Sequence, residues 1–241
     1  MPTRLIAQLR PLSILCLAGL IAACASQPSS TLGELPRTPQ ASIEQLLQQA
    51  AQSPAEQAAP LRLSAANLAY TQKDFARASS ILEQVQLESL KPAQQIYAST
   101  LRAELDMGRN KPKSALQALN HPSMERLGEL PVEQQVRSQL VRANALQATG
   151  QTLAAARERV FIAPLLNGAS ATHNQEAIWD LVSSLPMGEL HASGDADLDG
   201  WLELARVSKS AGTLEQQQAA IDTWLAANPQ HPAAQQLPQA L

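Results

Sequence analysis

Asp195, Asp197 and Asp199, followed by Gly200, alternate like the carboxylates in the first half of a calcium-binding loop, and Leu202 stands where such loops carry an apolar residue. The twelfth position, where a bidentate Glu would close the coordination, is Arg206, whose charge opposes the ion. A structural role is expected instead: Asp199 caps the helix that carries Trp201, and Asp195 and Asp197 sit in solvent near its positive end. His121, His173, His191 and His231 all fall in expected loops, and none stands i, i+4 from another His or from a Cys, as a helical zinc site requires. No metal site and no cofactor are expected. The chain carries no GxSxG elbow, SxxK, P-loop or GxGxxG, and a nucleophile without a base or an oxyanion donor does not make a catalyst. No catalytic residue is predicted, and the chain is read as a non-enzyme.

The remaining reactive group is the thiol of Cys24. Arg4 and Arg10 precede a 12-residue apolar run, Leu12 to Ala23, and small residues lead up to the cysteine, the pattern of a secretory signal peptide over residues 1–23. Twelve helical residues cover ~18 Å, short of the ~30 Å hydrocarbon core. Ile21-Ala22-Ala23-Cys24 looks like a bacterial lipobox, which implies cleavage between Ala23 and Cys24 and a lipid on the Cys24 sulfur. Cys16 leaves with the signal, so one cysteine remains and the mature chain is held by its core without a disulfide. By similarity to sorted lipoproteins, Ala25 rather than Asp after the cysteine implies the periplasmic side of the outer membrane.

These groups must be carried by an α-helical body. The chain has 241 residues, 45% of them hydrophobic, yet only three Trp, two Tyr and two Phe, which leaves little for β-sheets that favour aromatic and β-branched side chains. A net charge of -3, with 18 Lys and Arg spread along the whole chain, makes no basic stripe, so nucleic acid is not an expected partner. Residues 24–39, rich in Ser, Pro and Thr, read as a lipidated flexible tether. Ser42 with Gln45 predicts a capping box, and Ser53-Pro54 with Glu56 predicts a second helix start with the proline at its first position.

From residue 40 to 232 the spacing predicts helical hairpins. AANLAYTQKDFARASSILEQV looks like a tetratricopeptide unit, with Ala66 and Ala78 where two antiparallel helices approach closely around a polar turn. Ala103 and Ala115 flank Gly108-Arg109-Asn110, and Ala143 and Ala155 flank Thr149-Gly150-Gln151. The second-helix alanines lie 37 and 40 residues apart, longer than the usual 34, which predicts an irregular tetratricopeptide-like solenoid. An ordinary bundle with Ala-rich interfaces is the other all-α reading. After Pro164 a loop is expected through Ser170 to Asn174, then a short helix over Glu176 to Leu185. A closing hairpin, Gly200 to Ala211 and Leu214 to Ala227, ends at Asn228-Pro229 and His231-Pro232, with Trp179, Trp201 and Trp224 in the core.

Lipobox, spacer and degenerate hairpins together resemble the N-terminal region of LpoA-type lipoproteins, and GWLELARVSKS with AIDTWLAANPQHPAAQQLP resembles the closing hairpin of that region. The resemblance covers residues 20–241. It implies a monomeric, non-enzymatic lipoprotein that stimulates a bifunctional class A penicillin-binding protein in peptidoglycan synthesis. Members of the family continue into a domain like a periplasmic binding protein, and residues 233–241 are read as an exit segment toward such a domain. The competing reading is a stand-alone tetratricopeptide-like adaptor lipoprotein of secretion or pilus machinery.

Overall fold

The computed structural model describes residues 31–241 apart from 211, 239 and 240, and among these the regular structure is helical with no strand. Among the described residues eleven α-helices follow one another: α1 (Ile43–Ala51), α2 (Ala55–Thr71), α3 (Phe75–Glu83), α4 (Pro92–Gly108), α5 (Pro112–Ala118), α6 (Val132–Ala148), α7 (Thr152–Ile162), α8 (Gly168–Ser184), α9 (Ala196–Lys209), α10 (Leu214–Ala227) and α11 (Pro232–Gln235). Three hairpins, α2–α3, α4–α5 and α6–α7, repeat one geometry. Their first helices start at residues 55, 92 and 132, steps of 37 and 40, and each is 17 residues long.

The repeat is written most clearly in the turns. α2, α4 and α6 end alike, with the third residue past each helix donating back five positions: Asp74 N–H to the Ala69 carbonyl, Lys111 to Asp106 and Gln151 to Leu146, at 2.8–2.9 Å. The residue before each is left-handed, Lys73 at φ 62°, Asn110 at 56° and Gly150 at 80°. This is the Schellman closure, and its last residue is already the N-cap of the next helix. The paired alanines flanking these turns, 66 with 78, 103 with 115 and 143 with 155, are at most 1% exposed. Small side chains at these points let the two helices of each hairpin approach. A bundle without a repeat has no reason to use one closure three times, so the repeat reading holds.

Several expected boundaries are corrected. The capping box at α1 forms, with Gln45 N–H on Ser42 Oγ and Ser42 N–H on Gln45 Oε1. At α2, however, Pro54 stands at the N-cap rather than inside the helix, and Ser53 turns back to donate to the Gln49 carbonyl at 2.7 Å. The loop expected at Ser170 to Asn174 is helix, because α8 runs from Gly168 and places His173 on a helix instead of a loop. Its first two turns hold Gly, Ser, Thr and Asn, weak helix formers that propensity alone does not select. Tertiary contact holds them: buried Asn174 donates to the Arg159 carbonyl at 2.9 Å.

Of the tether expected over 24–39, residues 24–30 lie outside the described residues, and part of the rest is packed. Leu32 and Leu35 pack against buried residues of α4 and the turn after α5, and Ala93 N–H donates to the Leu32 carbonyl at 2.7 Å. Gly33, at φ 83°, lies on the Lys91 stem so closely that a Cβ would come within 2.6 Å of it. Residues 31–35 form a strap on the helical body.

At the other end the segment 233–241 does not simply lead away. Ala233 is fully buried, Ala234 packs on the C-terminal core, and Leu237 and Pro238 help line a cavity of about 260 Å³ with Trp179 and Trp201. The three tryptophans are buried, as core residues should be. His231 seats this end: its Nδ1 accepts from Ala233 N–H at 3.2 Å, capping α11, so Nε2 carries the proton toward the Asp197 carbonyl at 3.1 Å.

Candidate functional site

The three aspartates serve helix α9. Asp195, not Asp199, is the N-cap, accepting from Asp197 and Leu198 N–H. Asp199 reaches back instead, accepting from the Ser193 N–H and hydroxyl, both at 2.6 Å. Those bonds hold its carboxyl below the usual carboxylate range. Among the described residues no group of three or more His, Cys, Asp or Glu could hold a metal ion. His121 caps the turn after α5, taking Ser123 N–H on Nδ1. Ala23 and Cys24, the residues predicted for cleavage and lipid attachment, lie outside the described residues.

What the fold does assemble is a polar seam across the first helices of the repeats. Tyr97 on α4 donates to Asn67 Oδ1 on α2 at 2.7 Å, and Tyr70 on α2 donates to Glu104 Oε2 on α4 at 2.9 Å. Arg137 on α6 completes it, with Nε on Glu104 Oε1 at 2.6 Å and Nη1 on the Tyr97 oxygen at 3.1 Å. Its guanidinium also lies 5.0 Å from the Tyr97 ring centre and 5.8 Å from that of Tyr70. Burial, and then the neighbouring Glu104 charge, push the Tyr70 hydroxyl up to about 12. Behind the seam, buried Thr100, Ser138 and Gln134 join α4 to α6 through hydroxyl and amide bonds of 2.7–3.3 Å.

Sequence reasoning missed this seam, since Tyr, Glu and Arg on a helix read one at a time as a solvated face. One signal was present: Tyr97 and Glu104 stand seven apart, which puts them on one side of a helix. The arrangement braces three helices. It holds no nucleophile paired with a base.

A second feature is a cavity of about 460 Å³ between α3, α4 and α5, lined by Leu82, Val85, Ala98, Arg102, Asp106 and His121 among others. Asp106 is buried there, taking Ser114 Oγ at 2.7 Å with Arg102 at 3.7 Å. Among the described residues no helix is long and apolar enough to cross a membrane.

The family described as "LppC putative lipoprotein" matches residues 36–241. The chain belongs to the LppC family. Within it, the chain is 29% identical to a Vibrio cholerae protein named penicillin-binding protein activator LpoA, over 96% of this chain and 39% of that one. A relative of the same name in Edwardsiella piscicida is 30% identical, over 96% of this chain and 34% of its own length. The chain thus spans about two fifths or less of the length of these curated relatives. Its fold is that of the E. coli LpoA amino-terminal domain, at TM-score 0.59 and 24% identity over 85% of this chain and 92% of the other. The LpoA N-terminal domain from Haemophilus influenzae matches at TM-score 0.56 and 21% identity, over 83% and 91%. The LppC match begins at residue 36, just past the Leu32–Leu35 strap.

Proposed function

We propose that this chain is the helical, partner-facing part of an outer-membrane lipoprotein that stimulates a bifunctional class A penicillin-binding protein and has no catalytic activity of its own. The observation that carries the reading is the agreement of nearly the whole described array with the N-terminal domain of proteins named for that activation. The physical content fits: an array of hairpins in which each repeat touches mainly its neighbours supplies reach and surface rather than a reaction pocket. In this reading Cys24 is the lipidated first residue, cleaved from Ala23, and the monomeric body works on the periplasmic side of the outer membrane. Two or three acyl chains, at ~0.8 kcal/mol per buried CH₂, anchor it far more firmly than one chain would. The relatives reported above carry the activator name, and nothing in them favours an adaptor of secretion or pilus machinery.

The test is reconstitution with a purified class A synthase, following glycan polymerisation and peptide crosslinking. The mature chain should bind the synthase weakly and stimulate it little, with stimulation returning when a relative's second domain is fused after it. No binding with or without that domain overturns the synthase reading; full stimulation by this chain alone makes the helical array itself the activator. Cys24→Ala should leave an unacylated precursor, and normal maturation with palmitate labelling in that variant overturns the anchor.

A further inference from the structure

Arg159, in the last turn of α7, is 7% exposed and makes no ion pair with any described carboxylate. Arg77, Arg126, Arg137 and Arg206, by contrast, are paired with Glu44, Glu129, Glu104 and Glu203. The Arg159 side chain meets only neutral amides. Its Nη2 donates to Asn144 Oδ1 on α6 at 2.9 Å and its Nη1 to Asn174 Oδ1 on α8 at 3.3 Å, while Nε is buried with no partner.

Nε and Nη2 form one edge of the planar fork, the edge on which a carboxylate places two oxygens in parallel. Asn144 puts one oxygen there. A buried guanidinium facing neutral groups alone is costly, and the carbonyl end of α7 offsets only part of that. The two sides of the contact differ. Asn174 is buried and tied to the Arg159 carbonyl, so α7 and α8 fix the guanidinium in place. Asn144 is exposed, and it stands seven residues after Arg137 on the same side of α6 as the polar seam. The amide on the half-filled edge is therefore the one that can swing away. One positive charge with one bidentate edge matches a monoanion; a phosphate dianion would want a second cation.

We propose that Arg159 is a receptor for a peptide carboxylate, which enters from the exposed side of α6, displaces the Asn144 amide and takes the Nε–Nη2 edge. The inference stands independently of the synthase reading. It is tested by nuclear magnetic resonance on the mature chain, following the Arg159 Nε–H signal, assigned by its loss in Arg159→Lys. Three probes are titrated: N-acetyl-Ala-Ala with a free carboxylate, N-acetyl-aspartate amide, and N-acetyl-Ala-Ala amide. A saturable shift with either acid and none with the neutral amide supports the receptor, and which acid acts tells a chain terminus from an acidic side chain. Asn144→Asp should raise Tm and abolish the shift, because its own carboxylate fills the edge, while Asn144→Ala should keep the shift or strengthen it. A purely structural arginine predicts the higher Tm with no probe response in any variant. That result, a shift with the neutral amide, or an unchanged shift in Asn144→Asp overturns the proposal.

Discussion

Gly200 and His231 occupy one place: a Cβ on Gly200 would lie 2.5 Å from His231 Cδ2 and 2.7 Å from its Nε2. The imidazole fills the space a side chain would take, edge-on to Trp201 at 5.0 Å and Trp224 at 5.1 Å. Trp224 in turn donates Nε1–H to the Gly200 carbonyl at 3.0 Å. Gly200→Ala should therefore expel the ring, remove the cap of α11 and cost about 1–3 kcal/mol as an overpacked core does. Urea denaturation followed by tryptophan fluorescence measures it; unchanged stability would mean that the ring moves aside freely.

Burial lowers the His231 pKa below its ordinary 6.5, despite the Asp197 carbonyl and carboxylate that oppose the shift. Above about pH 6.5 the ring is neutral in both folded and unfolded chains and its contribution is complete. As pH falls from there toward the lowered folded value, the unfolded chain binds the proton first and stability declines. Urea midpoints at pH 7.5 and 5.0 should differ in that direction, and His231→Asn should shrink the difference.

Ala78 is fully buried in the seam of α2 and α3, whereas Gln72 is exposed at the end of α2. Ala78→Trp should cost ~1–3 kcal/mol or more, and Gln72→Ala should stay within about ±0.5 kcal/mol. Thermal melts by circular dichroism separate the two; a Trp variant of native stability would contradict the close approach of these helices.

The three left-handed turn residues give an internal comparison. Nothing lies within 4 Å of a Cβ built on Gly150, so Gly150→Ala is penalised by its backbone alone, about 1 kcal/mol. Lys73 already bears that strain, and Lys73→Gly should relieve it, partly offset by the freer unfolded chain, for a net gain of up to about 1 kcal/mol. Opposite signs in paired melts are the expected result.

The parts legible in the sequence were those decided locally. A polar turn between paired alanines names its own hairpin, because only small residues fit where helices touch, and Ser42 with Gln45 names its own cap. The parts that stayed hidden depend on contacts across the chain. The first turns of α8 hold because Asn174 reaches Arg159, fifteen residues back, and no local pattern announces that bond. Leu32 and Leu35 sit among Ser, Pro and Thr, so composition reads solvent while two side chains do the packing. Sequence reasoning assigns the cap to Asp199, but Asp195 takes it, because Asp199 turns back to the Ser193 hydroxyl.

The strap formed by Leu32 to Leu35 marks where the described helical body begins. If the lipid sits on Cys24 as proposed, six residues, 25–30, remain between it and the folded body, which at ~3.3–3.6 Å per residue extend to roughly 20 Å at most. That is shorter than one of the 17-residue helices, about 25 Å long. On that proposal the body would be moored close against its bilayer, its searching volume small, and whatever distance it bridges beyond that would be covered by the helical protein.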